Sequence, residues 1–145
     1  RMWIGTFGGG LDLALLDSNN RYKFKHFFQY IHGVSEIRTL LEDENGDLLI
    51  GTWQDGLFHY NIKENKFIHY PPLDESNSVL ALFQDSKGAL WIGTSGSGLY
   101  KVNFSPDKKI LSVEKAYKHD ALNTLSLSSD YIYSWVHGMG SASWT

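Results

Sequence analysis

One phrase recurs three times along this chain. It stands as "RMWIGTFGGGLDLALLD" from Arg1, as "GDLLIGTWQDGLFHYNI" from Gly46 and as "KGALWIGTSGSGLYKVN" from Lys87. Gly5, Gly51 and Gly93 hold the same place in the three copies, at intervals of about 42–46 residues. A repeat of that length implies stacked units, none able to bury its apolar surface alone. Helical hairpin solenoids share this period, so local pattern must decide. No stretch keeps a helical stripe over several turns. Short apolar or alternating runs are instead punctuated by glycine, asparagine and aspartate, which reads as strand and turn. A 42% hydrophobic and 14% aromatic content agrees with a packed, β-rich fold.

The middle copy resolves into four strands. Glu36–Glu42 is followed by the turn Asp43–Gly46, Asp47–Thr52 by the turn Trp53–Gly56, and Leu57–Ile62 by a lysine-rich turn and then Phe67–Tyr70. The third copy repeats the order, and the first begins at its second strand. Four antiparallel strands per unit are the pattern of a β-propeller blade. The predicted fold is therefore all-β, a β-propeller fragment of about three four-stranded antiparallel blades. The expected division is propeller repeats over 1–134: a partial blade 1–30, blades 36–70 and 78–118, and the start of a further blade over 123–134. Residues 135–145 read as a divergent or artificially appended tail. The chain opens on Arg1-Met2-Trp3, already inside a strand-like phrase, and so reads as cut there; no signal peptide stands at the start. Gly51 and its equivalents sit inside a strand, where glycine is expected only if another backbone or side chain comes close. Trp3 and Trp91 are expected to fill the space between blades, with Leu49 in that place in the middle copy.

The segment Asp85-x-x-Gly88-x-Leu90-Trp91-Ile92-Gly93-Thr94, followed by Gly98-Leu99, resembles the two-component regulator propeller repeat. Asp43, Gly46, Leu48, Leu49, Ile50, Gly51, Thr52, Gly56 and Leu57 carry the same resemblance in the middle copy. Trp3 to Thr6 with Gly10-Leu11 carry it in the first, and Asn123 to Ser134 resembles a lead-in to another blade. The resemblance implies the periplasmic sensor region of a bacterial hybrid two-component histidine kinase. There, tandem propellers precede a β-sandwich, a membrane helix, the kinase and a DNA-binding regulator. It also implies an oligosaccharide signal, a periplasmic location as part of an inner-membrane receptor, and no catalysis in this segment. Two alternatives stay open: a protein-interaction propeller without a small ligand, and a carbohydrate-active enzyme.

Other function classes have little support in the residues. The net charge is −3 with no long basic run, so neither nucleic acid nor direct membrane contact is expected. There is no cysteine, hence no thiolate metal site. No apolar run approaches the roughly 20 residues of a membrane helix. The acidic cluster Glu42, Asp43, Glu44 and Asp47 falls in a hairpin turn, where aspartate commonly bonds nearby backbone. Read as a calcium loop from Asp43 it places Gln54 where a glutamate is required. His26, His32, His59, His69, His119 and His137 show no close metal spacing, and neither a metal nor a cofactor is expected. Gly8-Gly9-Gly10 precedes no helix and reads as a turn, not a phosphate cradle.

Up-and-down topology nominates one surface for binding. The loops from second to third strand, and from fourth strand to the next blade, lie on one end of the blades. That end gathers Phe7, Trp53, Gln54, Asp55, Ser95 and Ser97, together with His32, Asp74, Glu75, Asn77 and Asn123. Of these, Trp53, Gln54, Asp55, Ser95, Ser97, His32 and Asn77 are the candidate ligand residues, with Trp53 either stacking on a sugar ring whose hydroxyls the polar neighbours hold or packing against a neighbouring loop. Bare blade faces predict self-association, with a strand near Tyr131–Tyr133 supplying a missing inner strand to a first blade, in its own chain or a partner's.

Overall fold

The computed structural model describes residues 1–27, 36–73, 75 and 77–134. Among these residues, eleven strands form three antiparallel sheets in simple meander order. The first blade contains β1 (Met2–Thr6), β2 (Gly10–Leu16) and β3 (Tyr22–His26). The middle blade contains β4 (Ile37–Glu42), β5 (Leu48–Thr52), β6 (Leu57–Asn61) and β7 (Lys66–His69). The third contains β8 (Val79–Gln84), β9 (Leu90–Thr94), β10 (Leu99–Phe104) and β11 (Leu111–Tyr117). The blades pack side by side through their inner strands, β4 meeting both β1 and β8. This is the propeller arrangement, and no helix occurs among the described residues.

Strand alternation distributes the core to two interfaces. All five residues of β5 are buried. Successive side chains point to opposite faces of a sheet, so Leu48 and Ile50 join Leu11 and Phe27 of the first blade, with Phe58 and Tyr60. Leu49 and Leu57 turn the other way, onto Val79, Leu90, Ile92, Tyr100 and Val102 of the third blade. A strand covered on both sides must be apolar on both, which is why "LLIGT" does not alternate.

The glycine of each phrase is explained at the same interface. A Cβ built on Gly51 would lie 2.6 Å from Val79 Cγ1 and 2.5 Å from Thr39 Cγ2. On Gly5 it would meet Ile37 Cγ2 at 2.3 Å, and on Gly93 Ile132 Cγ2 at 2.7 Å. In every copy, therefore, an aliphatic side chain from the segment leading into the next unit fills the space over the glycine of the second strand. Trp3 also packs across a blade boundary, with Tyr60 6.1 Å away edge-on. Trp91 instead stacks on Tyr117 of its own outer strand. Tyr131 and Ile132 lie against the third blade, Tyr131 bridging to Ser95 and Ile132 N–H donating to Thr94 O at 2.9 Å. In this chain that segment does not run beside β1. The tail 135–145 lies outside the described residues.

Candidate functional site

The threonine that closes each phrase shapes the nominated face. Thr6, Thr52 and Thr94 each donate Oγ1–H to the carbonyl four residues on, at 2.9, 2.9 and 2.8 Å. Thr52 Oγ1 also accepts from Asp55 N–H, and Thr94 Oγ1 from Ser97 N–H. The turn then closes through a glycine: Gly98 has φ 89°, and a Cβ there would lie 2.2 Å from Tyr117 O. One hydroxyl thus fixes the loop that carries Gln54 and Asp55, and its equivalent fixes the loop that carries Ser95 and Ser97. Thr52→Val is expected to cost about 1–2 kcal/mol, the usual consequence of leaving buried partners unmet. It should also speed hydrogen exchange at the Asp55 amide, as measured by NMR.

These loops and the lead-in to the third blade line a shallow, open polar cleft of about 500 Å³. It brings together Gln54, Asn77, Ser95 and Ser97 with Glu75 and Tyr131. Asp55 stands apart, in a smaller adjoining recess of about 110 Å³ with His69 and Tyr70. Its carbonyl is 2.6 Å from His69 Nε2. Asn123 is exposed on a separate turn, where its side chain accepts Leu125 N–H. His32 and Asp74 lie outside the described residues.

Trp53 does not line the cleft. It is half-buried, its backbone N–H donates to Glu36 O at 3.0 Å, and its backbone carbonyl accepts from the Ser78 hydroxyl. The guanidinium of Arg38 sits 4.7 Å from its ring centre and 5.3 Å from that of Phe7. Arg38 is the extra residue of a β-bulge, since register shifts between Ile37 and Thr39. Bulges re-aim side chains, and this one aims a cation at two aromatic rings. The third blade repeats the bulge with Leu80. Nothing in the composition of either strand marks the bulge, so Arg38 escapes a reading by pattern.

The opposite end of the blades holds a buried histidine beside two carboxylates. His59 on β6 is buried, with Nε2 3.7 Å from both Asp43 Oδ2 and Asp47 Oδ2. Asp43 Oδ1 accepts the backbone N–H groups of Asn45 and Asp47, as a turn aspartate does. Its Oδ2 accepts from Lys108 Nζ of the third blade. Burial opposes ionisation of Asp43, but the Lys108 contact and the two backbone donors outweigh it and hold the carboxyl below its ordinary value. Burial, assisted by the charge on Lys108, pushes the His59 imidazole below its own, against the pull of Asp47 and Asp43. The sign for stability follows. As pH falls through about 6.5 the unfolded chain protonates this histidine while the folded chain resists, so the unfolded state binds more protons and stability falls. Thermal unfolding between pH 7 and pH 5, in chelator, should show a declining Tm that His59→Gln flattens.

Residues 74–96 match the family model of the two component regulator propeller. No curated protein sequence matches the chain. Among the solved structures that share the fold are two of the extracellular domain of BT4673 from B. thetaiotaomicron. One describes it as a one component system, with TM-score 0.53 and 20% identity. The other describes it as a hybrid two component system, with TM-score 0.53 and 19% identity. Each alignment covers 90% of this chain and 22% of the solved one, so the chain spans about a fifth of their length.

Proposed function

We propose that this chain forms part of the extracytoplasmic, periplasmic ligand-sensing propeller of a bacterial two-component receptor anchored in the inner membrane, and that its signal is an oligosaccharide. The observation that carries this reading is the cleft of Gln54, Asn77, Ser95 and Ser97 on the face built by the repeat's own threonine-braced loops. Amide and hydroxyl side chains both donate and accept hydrogen bonds, which is what the hydroxyls of a neutral sugar require. Arg38 stacks with Trp53 and Phe7 beside this face, and a sugar ring reaches Trp53 only on a surface the guanidinium leaves open. The supporting likenesses are the repeat matched at 74–96 and the shared fold of an extracellular domain. No catalytic role is proposed.

Titration of the isotopically labelled protein with a panel of neutral oligosaccharides tests the reading by NMR. Expected are saturable shifts at the amides of Gln54, Asn77, Ser95 and Ser97, weakened by Asn77→Ala. Saturable binding that leaves those amides unmoved, or no binding across the panel, would contradict it. A protein-contact role is the second reading, favoured by one observation. Leu16, Tyr22 and Phe24 of the first blade are 51%, 59% and 56% exposed. Association of copies through that face would appear in light scattering as a mass rising with concentration.

A further inference from the structure

The three blades supply an internal comparison, and the middle one departs from the third at three clustered positions. In the third blade the turn aspartate Asp85 uses its second oxygen to accept the indole N–H of Trp91, at 2.9 Å. Lys101, paired with Trp91 in register, lies 5.9 Å above the ring. Ala89 closes that turn. The middle blade has Leu49 for the tryptophan, His59 for the lysine and Asp47 for the alanine. Leucine cannot donate a hydrogen bond, so Oδ2 of Asp43 is released from the role its counterpart plays. Into the same space come a second carboxylate and an imidazole.

That imidazole is not satisfied by protein. His59 is 3% exposed, and neither ring nitrogen has a hydrogen-bond partner. Leaving both nitrogens unmet is costly in a buried site. Its Nε2 points between Asp43 Oδ2 and Asp47 Oδ2, 3.7 Å from each, beyond hydrogen-bond range. All three donor atoms lie within 4.8 Å of one another. Ligands about 2.1 Å from one tetrahedral ion stand roughly 3.4 Å apart, so small side-chain adjustments close the set around a shared cation.

We propose that Asp43, Asp47 and His59 form a three-ligand site for a divalent transition cation, of which zinc is the type. One nitrogen and two oxygens suit zinc better than calcium or magnesium, which favour all-oxygen shells. The ligands are already oriented from behind. Asp47 accepts from Ile62 N–H at 3.1 Å and from Asn61 Nδ2 at 3.3 Å, while the Asn45 and Asp47 amides hold Asp43. Two clefts, of about 870 and 220 Å³, reach His59, and Lys108 lines both. Lys108 is the internal competitor. Its ammonium contacts Asp43 Oδ2, and its side chain, 27% exposed at the rim of both clefts, must swing aside when the ion enters. The site is therefore one in which an ion and a lysine from the neighbouring blade exchange for the same carboxylate. It lies at the opposite end of the blades from the saccharide reading and does not depend on it.

Isothermal titration of chelator-treated protein with zinc chloride at neutral pH is the test. One saturable equivalent is expected, accompanied by a higher Tm. His59→Gln and Asp47→Asn should each weaken binding by about tenfold or more. Lys108→Met alters a partly exposed side chain and should tighten binding, which keeps the test valid if the buried variants fold poorly. His26→Ala, removing an exposed histidine, should change nothing. The proposal is overturned if neither the wild type nor Lys108→Met binds zinc saturably. Binding that survives His59→Gln, is lost with His26→Ala, or is tighter for calcium than for zinc also overturns it.

Discussion

Replacing Gly51 by valine should destabilise the protein by about 3 kcal/mol, the upper part of the range for overpacking a filled interior. The cause is local and two-sided. The first added carbon alone lies 2.6 Å from Val79 of the next blade and 2.5 Å from Thr39 of its own. Neither contact is made by a long side chain able to fold away, and Val79 is 4% exposed in the core it shares with Leu49 and Ile92. The two blades must separate or the inner strand must shift. A milder pair of changes isolates the cross-blade part. Gly51→Ala and Val79→Ala should each destabilise alone, one by crowding and one by loss of volume. Together they should cost less than the sum, with a coupling of about 1 kcal/mol in urea unfolding. Strict additivity would mean that the two residues do not share a space.

Ile50→Ala carries the second large effect, about 3 kcal/mol by the same assay. Ile50 is fully buried and packs in the cluster that joins the first and middle blades, among Leu11, Phe27, Ile37 and Tyr60. The cavity left cannot collapse easily, because its walls belong to two different sheets. Phe24→Ala on the outer strand β3 supplies the contrast. That ring is 56% exposed, and its loss should fall within about 0.5 kcal/mol. Similar costs at the two positions would mean that the boundary between the first two blades is not where the core lies.

The strands were legible because the chain changes its residue chemistry where its direction changes. Aspartate and glycine bracket the hairpin at 43–46, and doubly covered β5 reads as an unbroken apolar run. The glycine's purpose could be inferred, but not its occupant. Val79 meets Gly51 only through the register between blades, which no local pattern encodes. The bulge that delivers Arg38 to Trp53 and Phe7 has no glycine or proline to announce it. Packing of Trp53 against a neighbour could be expected, but not that the neighbour is the guanidinium of Arg38. Topology placed Gln54, Asn77, Ser95 and Ser97 at one end of the blades, and these four do line one cleft. It did not separate them from Asp55, which turns toward His69. The juxtaposition of Asp43, Asp47 and His59 escaped a search by spacing, because His59 arrives across the sheet opposite Leu49. A position-by-position comparison of the repeats carried the signal. The tryptophan, alanine and lysine of the third blade are all absent from the middle one.

Each blade seats an aliphatic side chain from the segment that follows it over the glycine of its second strand. Nuclear Overhauser contacts in methyl-labelled protein test this most directly. Cross-peaks are expected from the Hα protons of Gly5 to the Ile37 methyl, of Gly51 to the Val79 methyls and of Gly93 to the Ile132 methyl. Spectra that retain the contacts within each sheet but lack all three of these would contradict it.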